Sequence, residues 1–294
     1  YNYNIDVEDT LEKDWKGMEF DVVVGNPPYK GQSALHLKFL DKCLNLSKKY
    51  LIFIQPALWI LNQKGTQKKN IEKIVLEKLK NYNFSIDLNN LASIFSYVRT
   101  SGYGMILFVD KTKKPGKIIV KNKVKNIDSV FNSISEIDQY GNSPLYLDLK
   151  EKIKKHEDKL ISHIGKISGN YFVNLPEFRG GFSDKADEIM NPGSISFLPL
   201  DPKIDQEKTS KLSFSFPNEK EAKNFIIYLQ TNFARFCLSI NKLNISLISG
   251  ELNDVPWMDF SKKWEDSDLY NFFKLSDEQI KFIEKNIPFM KYKS

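Results

Sequence analysis

An apolar segment that runs straight into two prolines constrains the fold of this chain more than any other feature. Phe20–Val24 is mostly β-branched and apolar, and the residues GNPPY, positions 25–29, follow it directly. Such a run is typical of a strand that is buried on both faces of a sheet. Proline lacks the backbone N–H that a sheet requires, so we expect the strand to end here in a rigid loop.

Strand-like and helix-like segments alternate around this loop. Leu35–Leu46 has apolar residues at helical spacing, and Tyr50–Ile54 is an apolar strand-like run that we expect Gln55-Pro56 to stop. The alternation predicts an α/β fold with a mostly parallel, doubly wound sheet. Further segments of the same two kinds are a helix around Ile71–Leu79 and strands at Phe84–Leu88 and Met105–Val109.

A lysine-rich segment separates this region from a less regular one. Residues 110–125 contain seven lysines and one acidic residue, and we place the domain boundary there. The predicted domains are residues 1–125 and 126–294, the second of mixed α+β type. In the second, Asn218 is expected to cap a long amphipathic helix that reaches Ile240, and Ser276 opens a capping box for a last helix.

The composition narrows the class of protein and leaves the partner open. The 294 residues carry a net charge of +6, which permits an acidic polymer as partner without requiring one. The longest apolar run is too short to cross a bilayer, so no membrane partner is expected. Two distant cysteines are typical of a reduced, cytoplasmic protein. Together with the three histidines they have no metal-ligand spacing, and no metal is expected.

The loop after the first predicted strand has the groups needed to act on a planar amino group. The lone pair of a nucleobase amino nitrogen is delocalised into the ring, and two hydrogen-bond acceptors aimed at its N–H groups can localise it. The Asn26 side-chain oxygen and the Pro27 carbonyl are the candidates, and Pro27 and Pro28 hold the loop without offering competing donors. Asn26 is neutral, so we expect it to act by orientation and charge stabilisation.

The aromatic residue of the loop indicates that the substrate is a nucleobase flipped out of its nucleic-acid duplex. Tyr29 can stack on a purine that has lost its stacking neighbours. The loop also follows a parallel strand at its carboxyl end, where open α/β sheets hold their sites. The alternative is a rigid turn with a packed tyrosine, and the strand before the loop and the helix after it favour the functional interpretation.

The segment FDVVVGNPPY resembles the catalytic motif of S-adenosylmethionine-dependent amino-group methyltransferases, specifically the adenine-specific DNA enzymes of bacterial restriction–modification systems. The resemblance implies a partial doubly wound, Rossmann-like methyltransferase sheet closed by an antiparallel hairpin, followed by a target-recognition domain. It also implies that residues 26–29 are catalytic and that adenine in double-stranded DNA is flipped out and methylated at its amino group.

Two further segments carry the resemblance. IFSYVRTSGYGMILFVDK is similar to the family's late motif, in which a phenylalanine stacks on the flipped adenine, and Phe95 occupies that position. Phe95 as a core aromatic is the equally weighted alternative. EAKNFIIYLQTNFARFCLSI, with the tail after it, is similar to the C-terminal regions of these enzymes. A fused or associated restriction endonuclease is a possible further partner.

The family's cofactor motif, an acidic, glycine-rich turn after a strand, has no counterpart in this sequence. We therefore expect the chain to be the C-terminal part of a longer enzyme, in which residues upstream of Tyr1 hold most of the S-adenosylmethionine. The isolated chain is then expected to be inactive.

Two other functions remain open. The same motif occurs in methyltransferases that act on RNA adenine or on a protein glutamine amide, and the chain could also be a DNA-binding specificity module without catalysis. For DNA, residues from Asn126 onward are expected to read the sequence. Lys121, Lys123 and Lys125 are expected to contact phosphates, although lysine runs are commonly solvated surface.

Overall fold

The computed structural model describes residues 9–28, 34–61, 70–90, 103–175, 203–241 and 249–287. These residues form two compact units, of which the first ends at Gly141 and the second begins at Asn142. The division lies sixteen residues beyond the predicted boundary at Lys125. The reason is that Ile127–Phe131 pairs with a strand of the first unit.

The first unit is built on a six-stranded mixed sheet in the order β1-β2-β4-β3-β5-β6. β1 and β2 are parallel, as are β3 and β5, and the other three neighbouring pairs are antiparallel. The α/β class is confirmed, and β4 lies antiparallel between β2 and β3. The sheet is less parallel than predicted, because β4 is antiparallel to both of its neighbours and β6 is antiparallel to β5. The strands are β1 (Phe20–Gly25), β2 (Ser47–Pro56), β3 (Asn83–Asn90), β4 (Tyr103–Asp110), β5 (Ile118–Asn122) and β6 (Ile127–Phe131).

The described part of this unit contains three α-helices: α1 (Leu35–Leu46), α2 (Leu58–Leu61) and α3 (Asn70–Leu79). α1 packs against β1, β2 and α3, and it buries the apolar stripe that the helical spacing predicted. Its last turn is held by Lys111, whose ammonium group donates to the carbonyls of Leu44 and Ser47. A cation near the C-terminus of a helix also complements the helix dipole.

The two faces of the sheet differ in how well they are covered. Side chains that face the helices, such as Leu51 and Phe53 of β2, are fully buried. On the other face, a row of cross-strand partners includes Val24, Ile119 and Val130, all of which are exposed. β1 was predicted to be buried on both faces. It is instead an edge strand among the described residues, and Val24 is 70% exposed.

Among the described residues, the second unit combines a small antiparallel sheet with five α-helices. α5 packs on the sheet, whose order is β8-β7-β9, and α6 packs against α5, α7 and α8. The strands are β7 (Tyr171–Leu175), β8 (Lys203–Asp205) and β9 (Leu212–Phe216), and the helices are α4 (Pro144–Lys155), α5 (Glu219–Gln230), α6 (Asn232–Asn241), α7 (Asp266–Phe272) and α8 (Asp277–Asn286).

The helix predicted from Asn218 to Ile240 is in fact two helices. The Asn218 side chain caps α5 as predicted. The helix ends at Gln230, because the backbone of Thr231 is extended, and Thr231 then caps the start of α6. Its hydroxyl accepts from Ala234 N at 3.1 Å, and the Asp266 carboxylate accepts from the first two N–H groups of α6 at 2.9 and 2.8 Å. These acceptors bind the backbone N–H groups that have no partner within the first turn of a helix. A new helix can therefore start here, although the apolar stripe is continuous in the sequence.

The last predicted helix is confirmed as α8. Ser276 and Gln279 form its capping box, in which each side chain accepts a hydrogen bond from the backbone N–H of the other residue, as the sequence indicated. Within the described ranges, no helix is both long and apolar enough to cross a lipid bilayer. The same ranges contain no group of three or more His, Cys, Asp or Glu residues that could hold a metal ion.

Candidate functional site

The loop of interest begins where β1 ends. β1 finishes at Gly25, and Asn26 and Pro28 are exposed while Pro27 is buried. Asn26 thus lies directly after a parallel strand, at the carboxyl edge of the sheet where open α/β sheets hold their sites. Tyr29 and Phe95, the two predicted stacking residues, lie outside the described residues.

A glycine is required directly before Asn26. In the parallel register Gly25 is paired with Phe53 of β2. A Cβ atom on Gly25 would lie only 2.6 Å from Cε2 of the Phe53 ring. Phe53 is itself buried, so its ring has little room to move away. The Phe53 ring of β2 thus fixes the position of Gly25, the residue of β1 after which the NPP segment begins.

Four strand ends meet at the edge that carries Asn26. β1 runs parallel to β2, and β3 and β5 point the same way because β4 is antiparallel to both β2 and β3. The carboxyl ends of β1, β2, β3 and β5 therefore share one edge of the sheet. These ends are rich in amides, which are neutral donors and acceptors; the residues are Asn26, Gln55, Asn89, Asn90 and Asn122.

Part of this edge is tied together by hydrogen bonds. The Tyr103 hydroxyl, at the start of β4, donates to Oε1 of Gln139 at 3.1 Å, and burial raises the pKa of Tyr103. Asn122 Nδ2 donates to the Gln139 carbonyl at 2.8 Å. Asn89 Nδ2 donates to the carbonyl of Asp87 in its own strand at 3.1 Å. These contacts hold the ends of β3, β4 and β5 in place without using Asn26.

The β2 segment differs from its predicted end. Gln55 and Pro56 were expected to stop the strand, yet β2 continues through both, with Gln55 paired with Met105 and Pro56 with Gly104 of β4. Gln55 is fully buried. Sequence reasoning did not single it out as a functional residue, although one polar residue in an otherwise apolar run was a visible signal.

The three candidate phosphate-binding lysines all belong to the β5–β6 hairpin. Lys121 is exposed in β5, where its cross-strand partners are Asp87 and Asp128. Lys123 forms an ion pair with Asp87 at 3.0 Å. Lys125 is half-buried, with Nζ 4.1 Å from the centre of the Tyr140 ring. Their role in phosphate binding remains a prediction, and two of the three have partners within the fold.

Comparisons with known proteins include one that covers the NPP segment. Residues 2–95 match the model of the Eco57I restriction-modification methylase family. An uncharacterized adenine-specific methylase of Mycoplasma pneumoniae is 28% identical over 117 residues, which cover 36% of this chain. The resemblance to adenine-specific methylases is confirmed. A second relative, the modification methylase CviBIII of Paramecium bursaria Chlorella virus NC1A, is 40% identical over 74 residues, which cover 19% of this chain.

This chain spans only 27% and 19% of the lengths of these two curated relatives. Solved structures with some likeness include a modification subunit of a putative type I restriction enzyme from Vibrio vulnificus, at 18% identity and a TM-score of 0.29, covering 39% of this chain and 28% of that one. A putative S-adenosylmethionine-dependent methyltransferase from Listeria monocytogenes has 18% identity and a TM-score of 0.28, covering 38% and 39%. Scores this low assign no function.

Proposed function

We propose that this chain is part of an enzyme that transfers a methyl group from S-adenosylmethionine to the exocyclic amino group of adenine in DNA. The observation that carries the proposal is the placement of Asn26 and Pro27 at the carboxyl end of a parallel strand, with the Asn26 side chain exposed. The similarity of residues 2–95 to restriction-modification methylases supports the same chemistry.

Asn26 and Pro27 act on the substrate as two acceptors. The amino group of a flipped adenine donates one N–H to the Asn26 side-chain oxygen and the other to the Pro27 carbonyl. Both bonds strengthen as the nitrogen becomes tetrahedral and acquires positive charge, so they stabilise the transition state more than the ground state. Asn26 is not a base and therefore takes no proton from the amino group.

The residues described here do not by themselves fit the cofactor. No strand in the described ranges leads into an acidic turn with several glycines, the arrangement that the family resemblance calls for. β1, by contrast, is an edge strand with exposed valines, which a further strand and helix would cover. We therefore propose that the cofactor is held mainly by a part of the enzyme that adjoins β1. Calorimetry of this chain alone with S-adenosylmethionine is expected to show no saturable binding.

Acceptor specificity separates the candidate substrates. The complete enzyme with labelled S-adenosylmethionine is expected to label duplex DNA and to leave RNA and protein acceptors unlabelled. Labelling of RNA or of a glutamine amide would move the substrate to another class. If the protein bound DNA but transferred no methyl group, it would instead be a DNA-binding specificity module without catalysis.

The catalytic role of Asn26 has a direct test. Asn26→Ala in the complete enzyme is expected to lower the methylation rate by about a hundredfold or more while leaving DNA affinity nearly unchanged, because a transition-state acceptor is lost. Asn89→Ala is the matched control, since Asn89 lies at the same sheet edge but bonds within its own strand. A wild-type rate for Asn26→Ala would make the NPP segment merely a structural turn.

The second unit, with the segment from Asn126, is proposed to read the DNA sequence. One pocket that accepts any flipped adenine cannot distinguish sites, so discrimination requires other contacts. Exchange of residues 126–212 with those of a related enzyme is expected to change which site is methylated. Replacement of Lys121, Lys123 and Lys125 by Gln is expected to weaken binding to all sequences alike and to flatten its salt dependence. Lys121 should contribute most, because it is exposed, whereas Lys123 is paired with Asp87 and Lys125 is half-buried.

A further inference from the structure

A buried amide without hydrogen bonds lies in the strand next to the NPP segment. Gln55 is 0% exposed, and neither its Nε2 nor its Oε1 has a hydrogen-bond partner in the part of the chain that the structure describes. Other buried amides of the same unit are bonded. Gln139 accepts from Tyr103, and Asn122 donates to the Gln139 carbonyl and accepts from the N–H groups of Val124 and Lys125.

An unbonded amide in this place destabilises the resting fold. Burial removes the hydrogen bonds that its polar atoms make to water, and no protein hydrogen bond replaces them. Met or Leu would fill the same space without that loss. Neighbouring side chains on its face of the sheet are apolar, among them Phe53 and Met105. A polar residue retained at such a position points to a partner that is present in another state of the protein.

The strand register indicates what that partner is. Gly25 lies opposite Phe53 in the parallel pair β1–β2. β1 ends at Gly25, and extending its register by two residues on each chain would place Pro27 level with Gln55, on the same face of the sheet, at a strand spacing of about 4.8 Å. Pro27 is buried as Gln55 is, in agreement with that placement.

The two groups are chemically complementary. Pro27 and Pro28 have no N–H, so the backbone of this segment offers carbonyl acceptors and few donors. The Gln55 amide offers two N–H donors. Catalytic hydrogen bonds are commonly long or poorly aligned before substrate binds and tighten in the reacting complex.

We propose that Gln55 is a positioning residue for methyl transfer. As the bound substrate amino group reacts, the Gln55 Nε2–H groups donate to the backbone carbonyls of the Asn26–Pro28 segment and thereby aim the Pro27 carbonyl at that amino group. This role rests on the proposed function. Because the bonds form only in the reacting complex, they raise kcat and leave substrate binding unchanged.

Paired substitutions in the complete enzyme test this role. Gln55→Met keeps the length of the side chain and removes its donors, and Gln139→Met does the same to a buried amide that is bonded at rest. Gln55→Met is expected to lower kcat by about tenfold or more, with KM and the fluorescence change of 2-aminopurine at the target position both unchanged. Its thermal midpoint should equal or exceed that of the wild type. Gln139→Met should lose thermal stability and keep its kcat.

Three other outcomes would contradict this role of Gln55. A wild-type kcat for Gln55→Met overturns the inference and leaves the proposed function intact. A loss of stability like that of Gln139→Met also overturns it, because the amide would then be bonded at rest, for example to a buried water. If the wild-type enzyme transfers no methyl group to adenine in DNA, the proposed function fails and the role of Gln55 fails with it.

Discussion

The two units of this chain bury their apolar side chains in different ways. In the first, one face of the sheet is covered by helices, and the other carries an exposed row that includes Val24, Ile119 and Val130. In the second, aromatic rings from β9, α5 and the segment after residue 254 pack against one another. The rings are those of Phe214, Phe216, Phe225, Trp257 and Phe260, with neighbouring centroids 4.9 to 6.1 Å apart.

The two units therefore differ, within the described residues, in how far their apolar side chains are covered. The five rings of the second unit pack against one another, whereas the exposed row of the first unit is apolar except at Ser85. The NPP segment lies in the first unit, at the end of its edge strand β1. The proposed catalytic loop is thus carried by the unit that has the exposed row.

The largest expected effect is on the core of the second unit. Phe225→Ala should reduce the free energy of unfolding by about 3–5 kcal/mol, because Phe225 is fully buried among four other aromatic rings. Denaturant unfolding measures the change. Phe272→Ala is the control, since Phe272 is 51% exposed and should cost much less. Equal losses for the two variants would contradict the self-contained aromatic core.

A smaller effect is expected where β1 meets β2. Gly25→Ala should cost about 1–3 kcal/mol, because the new methyl group overlaps the Phe53 ring. The methylation rate of the complete enzyme should also fall, since Asn26 is displaced. Gly250→Ala in the second unit is the matched control, with nothing within 4 Å of the added carbon. A tolerated Gly25→Ala would show that the ring can yield, and that the register of the loop is looser than described.

The exposed strand should tolerate polarity. Val24→Thr in this chain is expected to change the free energy of unfolding by no more than about 0.5 kcal/mol, because the side chain is mostly exposed. Val173→Thr, at a fully buried position of β7, should cost about 1–3 kcal/mol, since its hydroxyl is left without water. A large loss at Val24 would mean that β1 is covered and that the contrast between the units is false.

The smallest effect is chemical and compares one thiol from each unit. Burial raises the pKa of Cys43 to about 11, with Lys42 opposing the shift, and burial raises the pKa of Cys237 well above its usual value. At pH 8 only about one Cys43 thiol in a thousand is ionised, so alkylation of the folded protein should be slow and should speed up as the pH rises.

Cys43 is expected to react before Cys237, because it keeps some exposure and Cys237 has none. Mass spectrometry of alkylated peptides measures both, and the unfolded protein is the control in which the two react alike. Faster modification of Cys237 would indicate that the second unit opens more readily than the first.

Local chemistry in the sequence determined much of the fold and the place of the candidate site. The valine run followed by two prolines predicted a strand that ends at the NPP segment, and helical spacing predicted α1 and α3. The caps at Asn218 and Ser276 were readable because each acts within a few residues of itself. The stacking roles of Tyr29 and Phe95 remain predictions from the motif.

Features that depend on contacts between residues far apart in the sequence became visible only in the folded molecule. The hairpin of β5 and β6 joined the first sheet because β5 pairs with β3, which no local pattern announces. The helix after Asn218 broke at Thr231 because Asp266, more than thirty residues away, accepts from the new helix start. Gln55 became a buried, unbonded amide because β2 continues through it and pairs with β4. Periodicity reports which residues avoid water, whereas hydrogen bonds between remote segments decide which of those segments meet.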